Sequence, residues 1–149
     1  MINAVEDGSV KLTTNKQKGN YGEMKMDDYF ESQGYSRVST GRVTSLDDKI
    51  VKGIDGVYEN ASPPPKFVIG EAKYGTSQLS NTQHGKQMSE QWISGNQRLE
   101  KSVGTKLADA IREEQYLNPE NVKKVLIKIE TDGTVTETVL DSAAKVMKK

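Results

Sequence analysis

Acidic residues inside apolar stretches are the most informative feature of this sequence, because strands disfavour Asp and Glu and a core holds unpaired carboxylates only at a cost. Two fall that way: Asp55 in Gly53-Ile54-Asp55-Gly56-Val57-Tyr58, and Glu71 in Phe67-Val68-Ile69-Gly70-Glu71-Ala72-Lys73-Tyr74. Side chains alternate faces along a strand, so Phe67, Ile69, Glu71 and Lys73 share one side while Val68, Gly70, Ala72 and Tyr74 share the other. Glu71 and Lys73 therefore address one space at the rim of a core begun by Phe67 and Ile69. If the two stretches pair as an antiparallel hairpin, Asp55 comes beside Glu71. Two carboxylates and the backbone carbonyl of Ala72 make an all-oxygen set, which suits Mg²⁺ or Mn²⁺ rather than a soft metal. A divalent ion there would activate a water and stabilise charge on a phosphoryl oxygen, with Lys73 placed to orient that water or help deprotonate it. That is the chemistry of phosphodiester hydrolysis.

Each of these residues also has a plainer reading. Glu71 and Lys73 could be a solvated edge-strand pair worth a few tenths of a kcal/mol, roughly the value of an exposed ion pair, but Asp55 would then be a second unexplained strand acid. Glu23 stands three residues after Asn20, the spacing at which an N3 acid closes a helix start, so capping competes with a metal role. In the polar loop, His84 is either simply exposed or assists proton transfer to substrate, and Gln87 either begins a helix or contacts a phosphate. Thr76, Ser77, Lys86 and Lys106 are candidate phosphate contacts. From Lys66 to Lys106 there are six Lys or Arg against three Asp or Glu, a locally basic half that a solvated face would also produce. Met88, Trp92 and Leu99 read as core, with base stacking by Trp92 the minority reading.

Positioning these groups requires a mixed set of elements. A helix is expected from about Tyr21 to Gln33, with Met24, Met26, Tyr29 and Phe30 on its apolar side and Gly34 beyond its end. Short strands follow at Tyr35–Ser39, Gly53–Tyr58 and Phe67–Tyr74. Asn60, Ser62 and the prolines Pro63 to Pro65 interrupt the last two and make them antiparallel neighbours. Residues 75–87 read as an exposed loop. Met88, Trp92, Leu99 and Val103 recur at helical spacing around a weak point at Gly95, and a second helix runs from Lys106 to Gln115. Val122–Glu130 and Val135–Leu140 read as strands joined by a hairpin turn at Thr131-Asp132-Gly133-Thr134. Residues 142–149 are expected to form a short basic helix or to fray. The fold class is mixed α/β, an α+β sandwich with a central mixed sheet flanked by helices.

The chain has 149 residues, enough for one domain with its own core, read here as a flexible arm over 1–19 and a single domain over 20–149. Only 34% of residues are hydrophobic and 28% are charged, so the surface is strongly polar. With no Cys and one His, disulfides, thiolate chemistry and zinc-cysteine sites are excluded. No apolar run reaches the roughly 20 residues of a membrane span, and the first residues lack a signal-peptide core. Lys plus Arg equals Asp plus Glu at 21 each, so nucleic-acid binding would have to rest on a local patch.

Asp55 followed by Glu71-Ala72-Lys73 across a hairpin resembles the PD-(D/E)xK pattern of restriction-endonuclease-like nucleases, with Ile54 standing before Asp55 in place of proline. Glu23 resembles the helix-borne acid that many of these enzymes direct at the metal. The wider pattern of Gly22-Glu23, Gly53-Ile54-Asp55-Gly56, Glu71-Ala72-Lys73-Tyr74-Gly75-Thr76-Ser77 and Gly85-Lys86-Gln87-Met88-Ser89 before Trp92 is similar to the toxic C-terminal nuclease domains of bacterial contact-dependent growth inhibition and related polymorphic toxin systems. It covers roughly residues 20–130. The resemblance implies a restriction-endonuclease-like core of helix, three strands, helix and strand. Asp55, Glu71 and the Ala72 carbonyl would hold Mg²⁺ or Mn²⁺, Lys73 would position the nucleophilic water, and Glu23 would assist. It also implies delivery into a neighbouring bacterium as the last part of a larger protein, action in that cell's cytoplasm, and a cognate immunity protein. Near-zero net charge favours a compact, shape-selected RNA such as tRNA, with a DNase of the same fold as the alternative. A monomer suits a toxin threaded into another cell. The reading from another class is a non-catalytic binding module whose strand acids and Lys73 form a structural ion-pair network.

Overall fold

A five-stranded mixed sheet organises the chain. The computed structural model describes residues 2–50 and 52–147. Strands β1 (Tyr35–Arg37), β2 (Gly56–Asn60) and β3 (Phe67–Tyr74) are antiparallel neighbours, β3 pairs in parallel with β6 (Val122–Ile129), and β6 turns back into β7 (Val135–Leu140). Central β3 and β6 bury apolar side chains on both faces, Phe67 and Ile69 on one and Val68, Val125, Ile127 and Ile129 on the other. Helices cover both faces. On one, α2 (Asn15–Glu31) packs Tyr21, Met24, Met26 and Phe30 against Tyr58, Val68, Val125 and Ile127. On the other, α3 (Glu90–Ser94), α4 (Arg98–Val103) and α5 (Thr105–Leu117) supply Trp92, Ile93, Leu99, Ala108 and Ile111 to a core with Val57, Phe67 and Ile69. Trp92, Met88 and Leu99 are all buried there.

The principal helix begins earlier than its sequence pattern suggests. Thr14 is the N-cap of α2, its hydroxyl accepting from Gln17 N at 3.1 Å, and the Gln17 amide oxygen accepts from Thr13 N at 2.9 Å. The Thr14 hydroxyl satisfies one orphan donor of the first turn and Gln17 ties back to the residue before the cap, so the expected Asn20/Glu23 cap is displaced into the helix body. Asn20 instead donates to the carbonyls of Leu46 and Asp48. Residues 15–19, expected in the arm, are thus the first turn and a half of α2, and a short α1 (Ile2–Glu6) precedes it.

Other departures are local. The second strand starts at Gly56, leaving Asp55 immediately before it, and the first strand ends at Arg37. The polar segment after β3 contains a small hairpin, β4 (Asn81–Thr82) with β5 (Gly85–Lys86). Helical periodicity breaks between α3 and α4, where Asn96 and Gln97 adopt positive φ. In place of a C-terminal helix, Val146 bridges Leu140, and positions 148 and 149 of that expected helix lie outside the described residues. No helix among the described residues is long and apolar enough to cross a membrane.

Two glycines let α2 approach the sheet. Gly56 and Gly70 are register partners in the β2–β3 hairpin. A Cβ on Gly70 would lie 2.9 Å from Met26 Sδ, and one on Gly56 would lie 2.6 Å from the Tyr58 hydroxyl. Absent side chains at this pair bring α2 down onto β3, and with it Glu23 toward the strand's C-terminal end.

Candidate active site

The β2–β3 register, which pairs Gly56 with Gly70 and Val57 with Ile69, runs on to set Asp55 beside Glu71. Asp55 lies where β2 has not yet begun, so the edge of β3 is open to its side chain. Its Oδ2 accepts from Ala72 N at 3.0 Å. In a strand the N–H and C=O of one residue point the same way, so the Ala72 carbonyl is directed toward that same edge.

Glu71 is 3% exposed. Its Oε2 accepts from the Gln87 amide at 2.8 Å and lies 3.5 Å from Lys73 Nζ. Its Oε1 is buried with no donor facing it, and the Asp55 carboxyl lies close enough for the two acids to share a proton. Glu23, freed from capping, lines the same cleft of about 680 Å³ as Asp55, Glu71, Ala72, Lys73, Thr76 and Ser77. The four residues expected to do chemistry therefore converge, and the two hydroxyls expected to touch substrate sit exposed at the rim.

Three acids this close strain one another's ionisation. Burial pushes the Glu71 carboxyl well above the ordinary range, the Asp55 charge adds to it, and Lys73 opposes it. Asp55 is raised by burial, against the Ala72 N–H. Glu23 is pushed up to about 8, first by burial and then by the Asp55 charge, with Arg37 pulling it back. Each shift favours the protonated form, and a bound cation would reverse it.

The unpartnered Glu71 Oε1, the Asp55 carboxylate and the Ala72 carbonyl are hard oxygen donors and fit Mg²⁺ or Mn²⁺ in kind. No group of three or more His, Cys, Asp or Glu stands at metal-holding spacing among the described residues, so any protein ligand set rests on fewer side chains, completed by backbone or water.

The remaining expected contacts fall elsewhere. Gln87, whose amide oxygen accepts from Ser80 N at 3.2 Å, spends its amide donor on Glu71, making it an orienting group for that acid rather than a free phosphate contact. Lys86 donates to the Ala144 carbonyl at 2.9 Å, and His84 lies 3.5 Å from both Asn96 and Arg98; neither lines the cleft. Their loop folds back as the β4–β5 hairpin toward α3 and α4, carrying them away from β3. Asn15, Lys18 and Thr131 also line the cleft; the sequence signals none of them, since a helix beginning after Asn20 leaves the first two in an arm and Thr131 in a hairpin turn. No family model, curated protein or solved structure matches the chain.

Proposed function

We propose that the chain is a metal-dependent nuclease that hydrolyses phosphodiester bonds on a restriction-endonuclease-like core. The observation that carries this reading is Glu71 Oε1, a buried carboxylate oxygen without a hydrogen-bond partner, in a cleft it shares with Asp55 and Glu23. Asp27 Oδ2 and Glu100 Oε1 are likewise buried without a partner, so the weight falls on place: Glu71 Oε1 is the one in the cleft that also holds Asp55, Glu23 and Lys73, where a ligand could complete it. Asp55, Glu71 and the Ala72 carbonyl would hold Mg²⁺ or Mn²⁺, which when bound supplies Lewis acidity at a phosphoryl oxygen and makes a water more acidic. Lys73, 3.5 Å from Glu71, would orient that water, Glu23 would assist at the cation or through a water, and Thr76 and Ser77 would contact backbone phosphates at the rim. Lys18 adds a positive charge to the same wall.

The zero formal net charge favours tRNA as substrate, with DNA the alternative. The motif resemblance supports a toxin acting as a monomer in the cytoplasm of a competing bacterium, delivered as the end of a larger protein and neutralised by a cognate immunity protein. A second reading, a non-catalytic module with a structural ion-pair network, draws on the Lys73–Glu71 pair and on the lack of a three-residue acid or histidine cluster among the described residues. One assay decides between them. Purified protein is incubated with total RNA and with plasmid, in Mg²⁺, Mn²⁺ or EDTA, beside Asp55→Ala and Lys73→Ala. Metal-dependent cleavage lost in both variants is expected; no cleavage under any metal, or variants that cut as well as the wild type, defeats the nuclease reading.

A further inference from the structure

We propose that Arg37 is a positioning residue of this centre, its buried guanidinium holding the Asp55 main chain and the Glu23-bearing helix in one frame. The inference rests on the nuclease reading and deepens it. The Arg37 side chain is 4% exposed and spends its fork on four partners. Nη1 donates to Asp27 Oδ1 at 2.8 Å, Nη2 to the carbonyls of Thr40 at 2.8 Å and Asp55 at 3.1 Å, and Nε to the Ser39 carbonyl at 3.1 Å. Asp27 follows Glu23 by four residues on α2, one turn along the same face. Its Oδ1 also accepts from the fully buried Tyr58 hydroxyl at 2.5 Å, which fixes the acid to β2.

Asp55 and Glu23 reach the cleft from separate pieces of chain, one from the segment entering β2 and the other from α2. Arg37, on β1, touches the main chain of the first and the neighbouring turn of the second. A buried ion pair is weak evidence for stability, since apolar residues of similar volume often do as well. Four directed bonds from one planar group instead fix relative geometry, which a lysine's three donors on a flexible stem do not reproduce. Groups that hold metal ligands from behind typically change metal affinity by about 10–100-fold when altered.

The first measurement is of metal affinity, without substrate. Free Mn²⁺ is counted by electron paramagnetic resonance against wild type, Arg37→Lys and Asp27→Asn, with thermal melts as a check on folding. Arg37→Lys keeps the charge and loses the fork, and is expected to bind Mn²⁺ about tenfold or more weakly while melting cooperatively. In turnover its kcat falls with KM for nucleic acid unchanged. Asp27→Asn keeps the three carbonyl bonds and removes the anion, and is expected to show a smaller loss; should Arg37→Lys fail to fold, this variant decides. Wild-type affinity in a folded Arg37→Lys, or in Asp27→Asn where the lysine variant does not fold, overturns the positioning role and leaves the nuclease reading intact. A wild type that binds no Mn²⁺ and cuts nothing overturns both.

Discussion

Replacing Glu23 with glutamine should stabilise the metal-free protein while weakening its hold on a cation, and the size of the first effect follows from the site. The Glu23 carboxyl titrates at about 8 in the fold, against 4.5 as its ordinary value. Above 4.5 the unfolded chain has released this proton and the folded chain still holds it. The folded state therefore binds more protons, and stability falls as pH rises from 4.5 through about 8. At about 1.4 kcal/mol per pH unit, the loss through this one side chain between about pH 5 and pH 8 is about 3–4 kcal/mol. Glutamine keeps the volume and cannot ionise. In EDTA, the variant should melt close to wild type near pH 4.5 and on the order of 10 °C above it at pH 8, taking about 2–4 °C per kcal/mol for a chain of this length. Mn²⁺ at about a hundred times its Kd should return about 2.7 kcal/mol to the wild type and less to the variant. Differential scanning fluorimetry from pH 4.5 to 9 measures all of this. A wild-type-to-variant difference that does not change with pH would refute the reasoning, because it would mean Glu23 is ionised in the fold.

Gly70→Ala should destabilise the protein by about 1–3 kcal/mol in chemical denaturation, since the new Cβ meets Met26 Sδ at 2.9 Å in a fully buried place; shortening Met26 in the same chain should recover part of that loss. His84→Ala and Lys86→Ala should leave kcat/KM for cleavage within about twofold, because neither side chain lines the cleft and surface changes away from a site rarely matter more. A tenfold fall in either would move the substrate path toward the β4–β5 hairpin.

What was legible in the sequence follows from the range of the interactions that decide it. β3 announces itself by the apolar run Phe67-Val68-Ile69 leading into Glu71 and Lys73, and its observed span, Phe67–Tyr74, is the expected one. Its antiparallel partner is legible as well, but the register that pairs Gly56 with Gly70 and so sets Asp55 beside Glu71 is not, because the connection through Pro63 to Pro65 is too long to fix it. The parallel pairing of β3 with β6 joins residues some 55 positions apart, and no local pattern encodes it. Lys86 and His84 read as free polar groups because their partners, Ala144 at 58 residues and Arg98 at 14, are visible only once the chain has folded.

The start of α2 shows how one local ambiguity reaches the site. Thr14 with Gln17 and Asn20 with Glu23 both carry the spacing of a capping box, six residues apart. Either could open the helix. What chooses between them is the loop around Leu46 and Asp48, whose carbonyls take the Asn20 amide 26 and 28 residues away. Once Asn20 is claimed there, Glu23 loses its capping duty and has no local hydrogen-bonding reason to be acidic. Its burial beside Asp55 then becomes a cost of several kcal/mol to the ionised form, about 1.4 kcal/mol for each pKa unit. That cost falls one turn from the Asp27 that Arg37 grips, so the choice of cap at Thr14 rather than Asn20 sets the ionisation of an acid in the cleft.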